Sequence, residues 1–352
     1  MSSLSIDDIE SHVAKGEPVR QQSFVGVDLS GKNLGGGIFE EVDFSEALLE
    51  QCDVRQALFV SCKLDRTMLK GIQSRDAVFH QCTMTEPSFF ESDLSEACYV
   101  ECVINGADFS RANLSGTSFS MCSIHDAKFR ESNIDCTVFA EGNIIRPDFS
   151  STKLHRVVLL KADLRGANLD GCAFFLGVLL ETCFADMDLS GLDFTLCQFM
   201  KADVSGANFQ NAILKQCNFQ QANLSRCNIS DAQAEYAIFE KADLSDAVFA
   251  RANLAYSNFS EAIANRATFV KANCEQTFWA NAGCGGACFD HAELSFADFS
   301  NADLTRSRFE SANLFRVRLH GVHDEDAYIP DRALAFGTDK ERLEAEMWNS
   351  RS

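Results

Sequence analysis

Ala107-Asp108-Phe109-Ser110-Arg111-Ala112-Asn113-Leu114-Ser115-Gly116 contains one unit twice: a small residue, Asp or Asn, a large apolar residue, then two polar or small ones. The same frame runs without a slip from Phe24 to Leu319, giving 60 consecutive five-residue units. Of their central residues, 55 are Phe, Leu, Ile, Val, Met, Tyr or Trp, the exceptions being Ser74, Ala234, Ala264, Cys274 and Cys284. Two residues before each centre sits a second restricted position, mostly Ala, Cys, Ser, Thr or Gly.

A period of five fits neither standard element. On an α-helix each step of five advances about 500°, so successive centres drift around every side. On a continuous strand, odd spacing sends alternate centres to opposite faces. The chain must therefore turn once per unit, so that every centre points at one axis. Centres numbered in 9 are aromatic in 21 of 30 cases, those in 4 in only 5 of 30, so large rings and aliphatics alternate and the number of sides is even. Two sides enclose nothing, and four is the smallest remaining choice. Cys62, Cys82, Cys102 and Cys122 recur every 20 residues, in agreement with four units per coil. Sixty units then predict about 15 coils, at ~4.8 Å per coil. Trp279, the bulkiest centre, lies between the small centres Cys274 and Cys284, as dense packing requires.

Units such as Ala222-Asn223-Leu224, Ala242-Asp243-Leu244 and Ala302-Asp303-Leu304 resemble those of the pentapeptide-repeat family. The resemblance covers residues 22–321 and implies an all-β solenoid, a right-handed quadrilateral β-helix. Short terminal helices complete the expected organisation: a capping helix in 1–21, the repeats in 22–321, and an acidic connector with a C-terminal helix in 322–352. In the first, Ser5 reads as N-cap with Leu4 stapled to Ile9, an apolar stripe of Ile6, Ile9 and Val13, and Gly16 as the stop. In the last, Thr338 and Glu341 read as a capping box, with Leu343 and Met347 on one side and an end near Trp348. Solenoid ends need cover, so both helices are expected to cap.

Composition narrows the function. Among 352 residues, 51 Asp+Glu against 31 Lys+Arg give a net charge of −20, which argues against nucleic acid or an anionic membrane as a direct partner. No apolar run reaches the length of a membrane span, and no export signal opens the chain. Fifteen cysteines, an odd number, read as reduced cytoplasmic thiols.

No nucleotide-binding or catalytic motif occurs, so no enzyme, cofactor or metal is expected. The Asp/Asn column before each centre reads as a solvated face. The cysteine column occupies the small inward position and reads as packing. Cys274, Cys284, Cys288 and His291 have the count of a zinc site, but two are inward centres on opposite sides and two are outward. His320, His323, Asp324 and Asp326 fall in what reads as a solvated exit loop.

The outward positions are more telling. Two columns flanking one row of aromatic centres are apolar at Leu58, Val158 and Val178 and at Val60, Val100, Leu160, Leu180 and Met200. A ridge at the preceding corner carries Leu176, Leu196, Tyr236, Tyr256 and Phe296. The same columns are polar elsewhere, as at Gln198, Asn218 and Gln220. Contiguous exposed apolar residues mark contact surfaces. The expected function is a non-catalytic, bacterial protein-interaction scaffold or adaptor, binding a protein or itself through these residues or the terminal helices. The resemblance adds two versions: an accessory protein of a bacterial secretion system, or a DNA mimic that binds type II topoisomerases in quinolone protection.

Overall fold

The computed structural model describes residues 5, 6 and 8–349, the last three by backbone alone. They form two compact units, one ending at Val178 and the other beginning at Leu179.

Both units are parallel β-solenoids built on one rule: a residue pairs with the one 20 positions later. In the first unit Ile38, Phe39 and Glu40 pair with Leu58, Phe59 and Val60, which pair in turn with Val78, Phe79 and His80. In the second, Asn208 pairs with Asn228, Asn228 with Val248 and Val248 with Thr268. A repeat of 20 made of units of five has four sides. The bonds follow suit: the Phe24 N–H donates to the Asp43 carbonyl at 2.7 Å, and the Asp43 N–H donates back to Gln22 at 3.0 Å.

At many corners the carbonyl of a centre accepts the N–H three residues on, as Phe24 accepts from Val27 at 3.0 Å. The third residue of such a turn has positive φ, and this recurs at positions ending in 1 and 6: Gly26 at 67°, Glu46 at 60°, Asp246 at 60°. The residue before the centre closes the same corner. Asp43 Oδ1 accepts the Ser45 N–H at 3.0 Å, Asp243 that of Ser245 at 2.9 Å, and Asn113 that of Ser115 at 3.3 Å. The Asp/Asn column, expected to be only a solvated face, is therefore the device that sets the turn.

The expected 15 coils are not what the regular strands give. The longest sheet has eight strands, from Val19–Arg20 to Val158–Leu159, with smaller sheets of four and two beside it. Throughout the second unit each side carries isolated bridges instead. There the corner turn takes four of the five residues, leaving a single residue per side to bridge its neighbours.

Centres fill the interior. In the first unit Phe39, Phe59, Phe79, Tyr99, Phe119 and Phe139 stack at 4.8–5.0 Å, and Phe89, Phe109, Phe129 and Phe149 meet them edge-on. In the second, Trp279 lies 4.1 Å from Phe259 and donates its Nε1–H to Thr277 Oγ1 at 2.8 Å. Cys274 and Cys284 are fully buried on either side of it. Stacked rings at this spacing contribute beyond their buried area.

The N-terminal helix α1 is Ile9–Ala14, with Asp8 rather than Ser5 at its N-cap. Ser5 instead accepts the Asp8 N–H on its hydroxyl at 3.2 Å, one turn ahead. Ile9 and Val13 are buried, but Ile6, expected in the same stripe, is exposed because the helix begins after it. Gly16 ends the segment with φ of 71°. Leu4 lies outside the described residues. Glu10 accepts the Asn33 N–H at 2.7 Å, so α1 supplies an acceptor for the first coil.

The C-terminal helix α2 is Lys340–Asn349. Its cap is Asp339, whose Oδ1 accepts the Arg342 N–H at 3.1 Å; Thr338 accepts from Gly321 at 3.4 Å instead. Leu343 is half-buried, and the side chain of Met347 lies outside the described residues. Among the described residues no helix is long and apolar enough to cross a membrane.

Candidate functional site

Most of the thiols, and His320, are engaged in the fold. Cys62, Cys82, Cys102 and Cys122 are buried, and each Sγ–H points at the carbonyl 23 residues earlier, Cys102 at Phe79 O at 3.2 Å. Contact with the Cys102 thiol, with burial added, pushes Cys82 and Cys122 well up and keeps them protonated. Burial does the same to Cys274 and Cys284, whereas Cys288 is only half-buried and His291 is exposed. Among the described residues no group of three His, Cys, Asp or Glu is placed to hold a metal ion. His320 is not in a solvated loop: it is buried under α2, accepting the Asp339 N–H on Nδ1 at 3.2 Å and facing Glu346 through Nε2 at 3.2 Å. His323, Asp324 and Asp326 are part-exposed or exposed.

The outward apolar residues divide by exposure. In the first unit Leu58, Val60, Val100, Val158, Leu160 and Val178 are half-buried. Leu58 and Val60 share a strand, Val158 bridges Val178, and His80 separates Val60 from Val100. Leu176 is exposed at a corner with φ of 56°. In the second unit Leu180, Met200 and Leu196 are half-buried, while Tyr236 and Tyr256 are exposed.

The second unit's corner column has an unusual composition. Left-handed corners are otherwise filled mainly by Gly or by Asp, Asn, Glu, Gln, Lys, Arg and Ser, yet Leu196, Tyr236, Tyr256 and Phe296 sit there at φ 61–66°. Bulky residues are unfavourable in that region by about 1–2 kcal/mol. Burial does not compensate, since Tyr236 is 54% and Phe296 45% exposed. Tyr236 stacks on Tyr256 at 4.8 Å, and Phe296 meets Phe315 edge-on at 5.6 Å. The Arg316 guanidinium lies 5.4 Å from the Phe315 ring and 5.9 Å from that of Phe296. Phe278, Phe296, Phe336, Arg316 and Arg318 line one groove with Gln276 and Asp298.

Eight matches to the model of pentapeptide repeats lie between residues 38 and 323 and together cover most of the chain. The chain belongs to the pentapeptide-repeat family. Solved structures similar to this pentapeptide-repeat chain include QnrB1, a plasmid-mediated fluoroquinolone resistance protein, at 21% identity over 60% of this chain and 94% of that one, with a TM-score of 0.23. HetL, a pentapeptide repeat protein involved in heterocyst differentiation regulation in Nostoc, is 20% identical over 90% of this chain and 97% of its own, with a TM-score of 0.17. A pentapeptide repeat protein of the Arabidopsis thaliana thylakoid lumen is 26% identical over 35% of this chain and 68% of its own, with a TM-score of 0.18. No curated protein matches the chain.

The sequence columns pointed to Leu196, Tyr236, Tyr256 and Phe296. They did not point to Phe278, Phe315, Phe336 or Arg316, which enlarge the same pentapeptide-repeat ridge. Phe315 stands where the preceding coils carry Ala255, Glu275 and Ser295, a visible signal; Phe336 lies beyond the frame and joins by pairing with Arg318.

Proposed function

We propose that this pentapeptide-repeat chain is a non-catalytic scaffold that binds protein through the aromatic ridge of its second unit. The observation that carries the reading is the placement of Tyr236, Tyr256 and Phe296 at exposed left-handed corners, where the fold gains little from them. In this reading the half-buried residues Leu58, Val60, Val100, Val158, Leu160 and Val178, with Leu176, are weaker secondary contacts of the first unit, and Leu180 and Met200 are weaker contacts of the second. Use of the Asp/Asn column in turn closure and of the thiols in packing supports a role without catalysis. The odd number of cysteines, most of them packed as thiols, supports a cytoplasmic setting. A secretion-system accessory role is the finer version carried by family resemblance.

The test is affinity capture from the native cell with the wild type and with Tyr256→Asn/Phe296→Asn, the latter shown to be folded. Asn tolerates the left-handed corner, so the variant removes the rings and keeps the turn. Loss of captured proteins supports the ridge; the same proteins at the same yield reject it.

The net charge of −20 favours a second reading, topoisomerase binding by DNA mimicry. Working against it, many corner carboxylates are neutralised by arginines one coil away, as in Asp126–Arg146, Asp231–Arg251 and Asp246–Arg266 at 2.6–2.7 Å. A gyrase supercoiling assay decides: protection from quinolone at stoichiometric protein supports mimicry, and no effect removes it.

A further inference from the structure

The ridge of the second unit is complementary to itself when read backwards. Along the corner column run Tyr236, Tyr256, Gln276, Phe296 and Arg316, one per coil. Two such columns placed antiparallel about a two-fold axis at Gln276 set Tyr256 against Phe296 of the partner subunit and Tyr236 against Arg316 of the partner subunit. Gln276 meets its own copy, and two primary amides pair by reciprocal N–H···O bonds. In the adjoining column Asn258 comes opposite Asp298 of the partner subunit, Phe278 opposite its own copy on the axis, and Ile238 opposite the aliphatic stem of Arg318 of the partner subunit. Ring meets ring, cation meets ring, and amide meets carboxylate, which is the pattern an isologous contact requires.

Charge points the same way. Among the described residues Arg316 has no carboxylate partner, although the chain carries 51 acidic residues; it rests over Phe296 and Phe315. At the other end of the ridge Glu235 is already paired with Lys215 at 3.6 Å, and the exposed ring of Tyr236 is the group open to a cation. The antiparallel arrangement brings the exposed Tyr236 ring to Arg316 of the partner subunit at each end of the contact.

We propose that this ridge seats the same ridge of a second copy of the chain, antiparallel about a two-fold axis through Gln276. The inference rests on the ridge being a contact surface, and it names the occupant. Five coils at ~4.8 Å span only about 20 Å, the small end of specific interfaces, so the dimer forms at micromolar rather than nanomolar concentration.

Sedimentation equilibrium of the full chain from about 1 to 100 µM is the test. The wild type, of 38.9 kDa per chain, is expected to approach twice that mass, and Tyr256→Asn/Phe296→Asn to weaken association at least tenfold. In a Cys136→Ser background, Gln276→Cys is expected to give an oxidised covalent dimer and Gln216→Cys, three coils from the axis, to give none. A wild type that stays monomeric, a ridge variant that dimerises equally well, or cross-linking at Gln216 but not Gln276 each overturns the proposal. A monomeric wild type removes only the second copy as occupant; the ridge as a contact surface falls separately, when its variant captures the same proteins as the wild type.

Discussion

The ring of Tyr236 lies on that of Tyr256 with centroids 4.8 Å apart and planes within 7°, both on the outside of the second unit. The coil spacing dictates this contact: identical residues one coil apart are displaced by about the thickness of a stacked ring. The same displacement builds the phenylalanine stacks of the core, so the solenoid carries aromatic columns both inside and out. Inside, they exclude water and hold the coils together. Outside, at corners that disfavour bulky residues, the stack orders two rings for a surface that solvent still reaches.

One inner ring is a misfit. Tyr99 stacks between Phe79 and Phe119, fully buried, and among the described residues its hydroxyl has no hydrogen-bond partner. A buried unsatisfied hydroxyl costs about 1–3 kcal/mol. Tyr99→Phe should therefore raise stability by about 1 kcal/mol or more in a denaturant titration. A loss of stability would show that the hydroxyl serves the fold.

The cysteine column should behave as packing. Cys102→Ala removes a buried thiol and its bond to Phe79 O, and should cost about 1–2 kcal/mol while the chain still folds. Elemental analysis of the purified wild type should find no stoichiometric zinc, iron or copper. Stoichiometric metal that vanishes with this substitution would contradict the packing account.

Acid should loosen the corners. The Ser30 N–H holds the Asp28 carboxylate below its usual range, and the hydroxyls of Ser190 and Thr305 do the same to Asp188 and Asp303. Folded-state values below the unfolded ones mean that the unfolded chain binds protons first as pH falls. Stability should thus be flat above about pH 5 and fall progressively below about pH 4. Thermal melts that are unchanged from neutral pH down to about pH 3 would remove these carboxylates from the ledger of turn stability.

The half-buried aliphatic columns allow a sharper separation of fold from contact. Leu160→Gln with Leu180→Gln should cost less than about 2 kcal/mol together, since both side chains already meet solvent. Circular dichroism should keep its β-solenoid signal. If these residues are secondary contacts of their two units, affinity capture by the folded double variant weakens; unchanged capture excludes them.

Most of the fold was legible because five-residue spacing admits no helix and no straight strand, and because the 20-residue return of Cys62, Cys82, Cys102 and Cys122 gave the number of sides. The role of Asp43 or Asn113 was not legible: a polar residue beside a core position looks the same whether it faces water or closes a turn. The helix caps were misplaced by one to three residues because Ser5 and Thr338 are good caps whose hydroxyls the surrounding chain engages otherwise. Of the ridge, Tyr236, Tyr256 and Phe296 could be read from their column. Arg316 could not, since its meaning comes from the two rings beneath it rather than from its own position.

The most direct test of the central claim, that the outer aromatic ridge is kept for contact and not for folding, is the unfolding free energy of Tyr256→Asn/Phe296→Asn. Lost ring contacts cost about 0.5–1.5 kcal/mol each, and relief of two bulky left-handed corners returns a similar amount. The account predicts a variant within about 1 kcal/mol of the wild type by denaturant titration. A loss of about 3–5 kcal/mol, the size expected for truncating a core ring such as Phe119, would contradict it and make the ridge part of the fold.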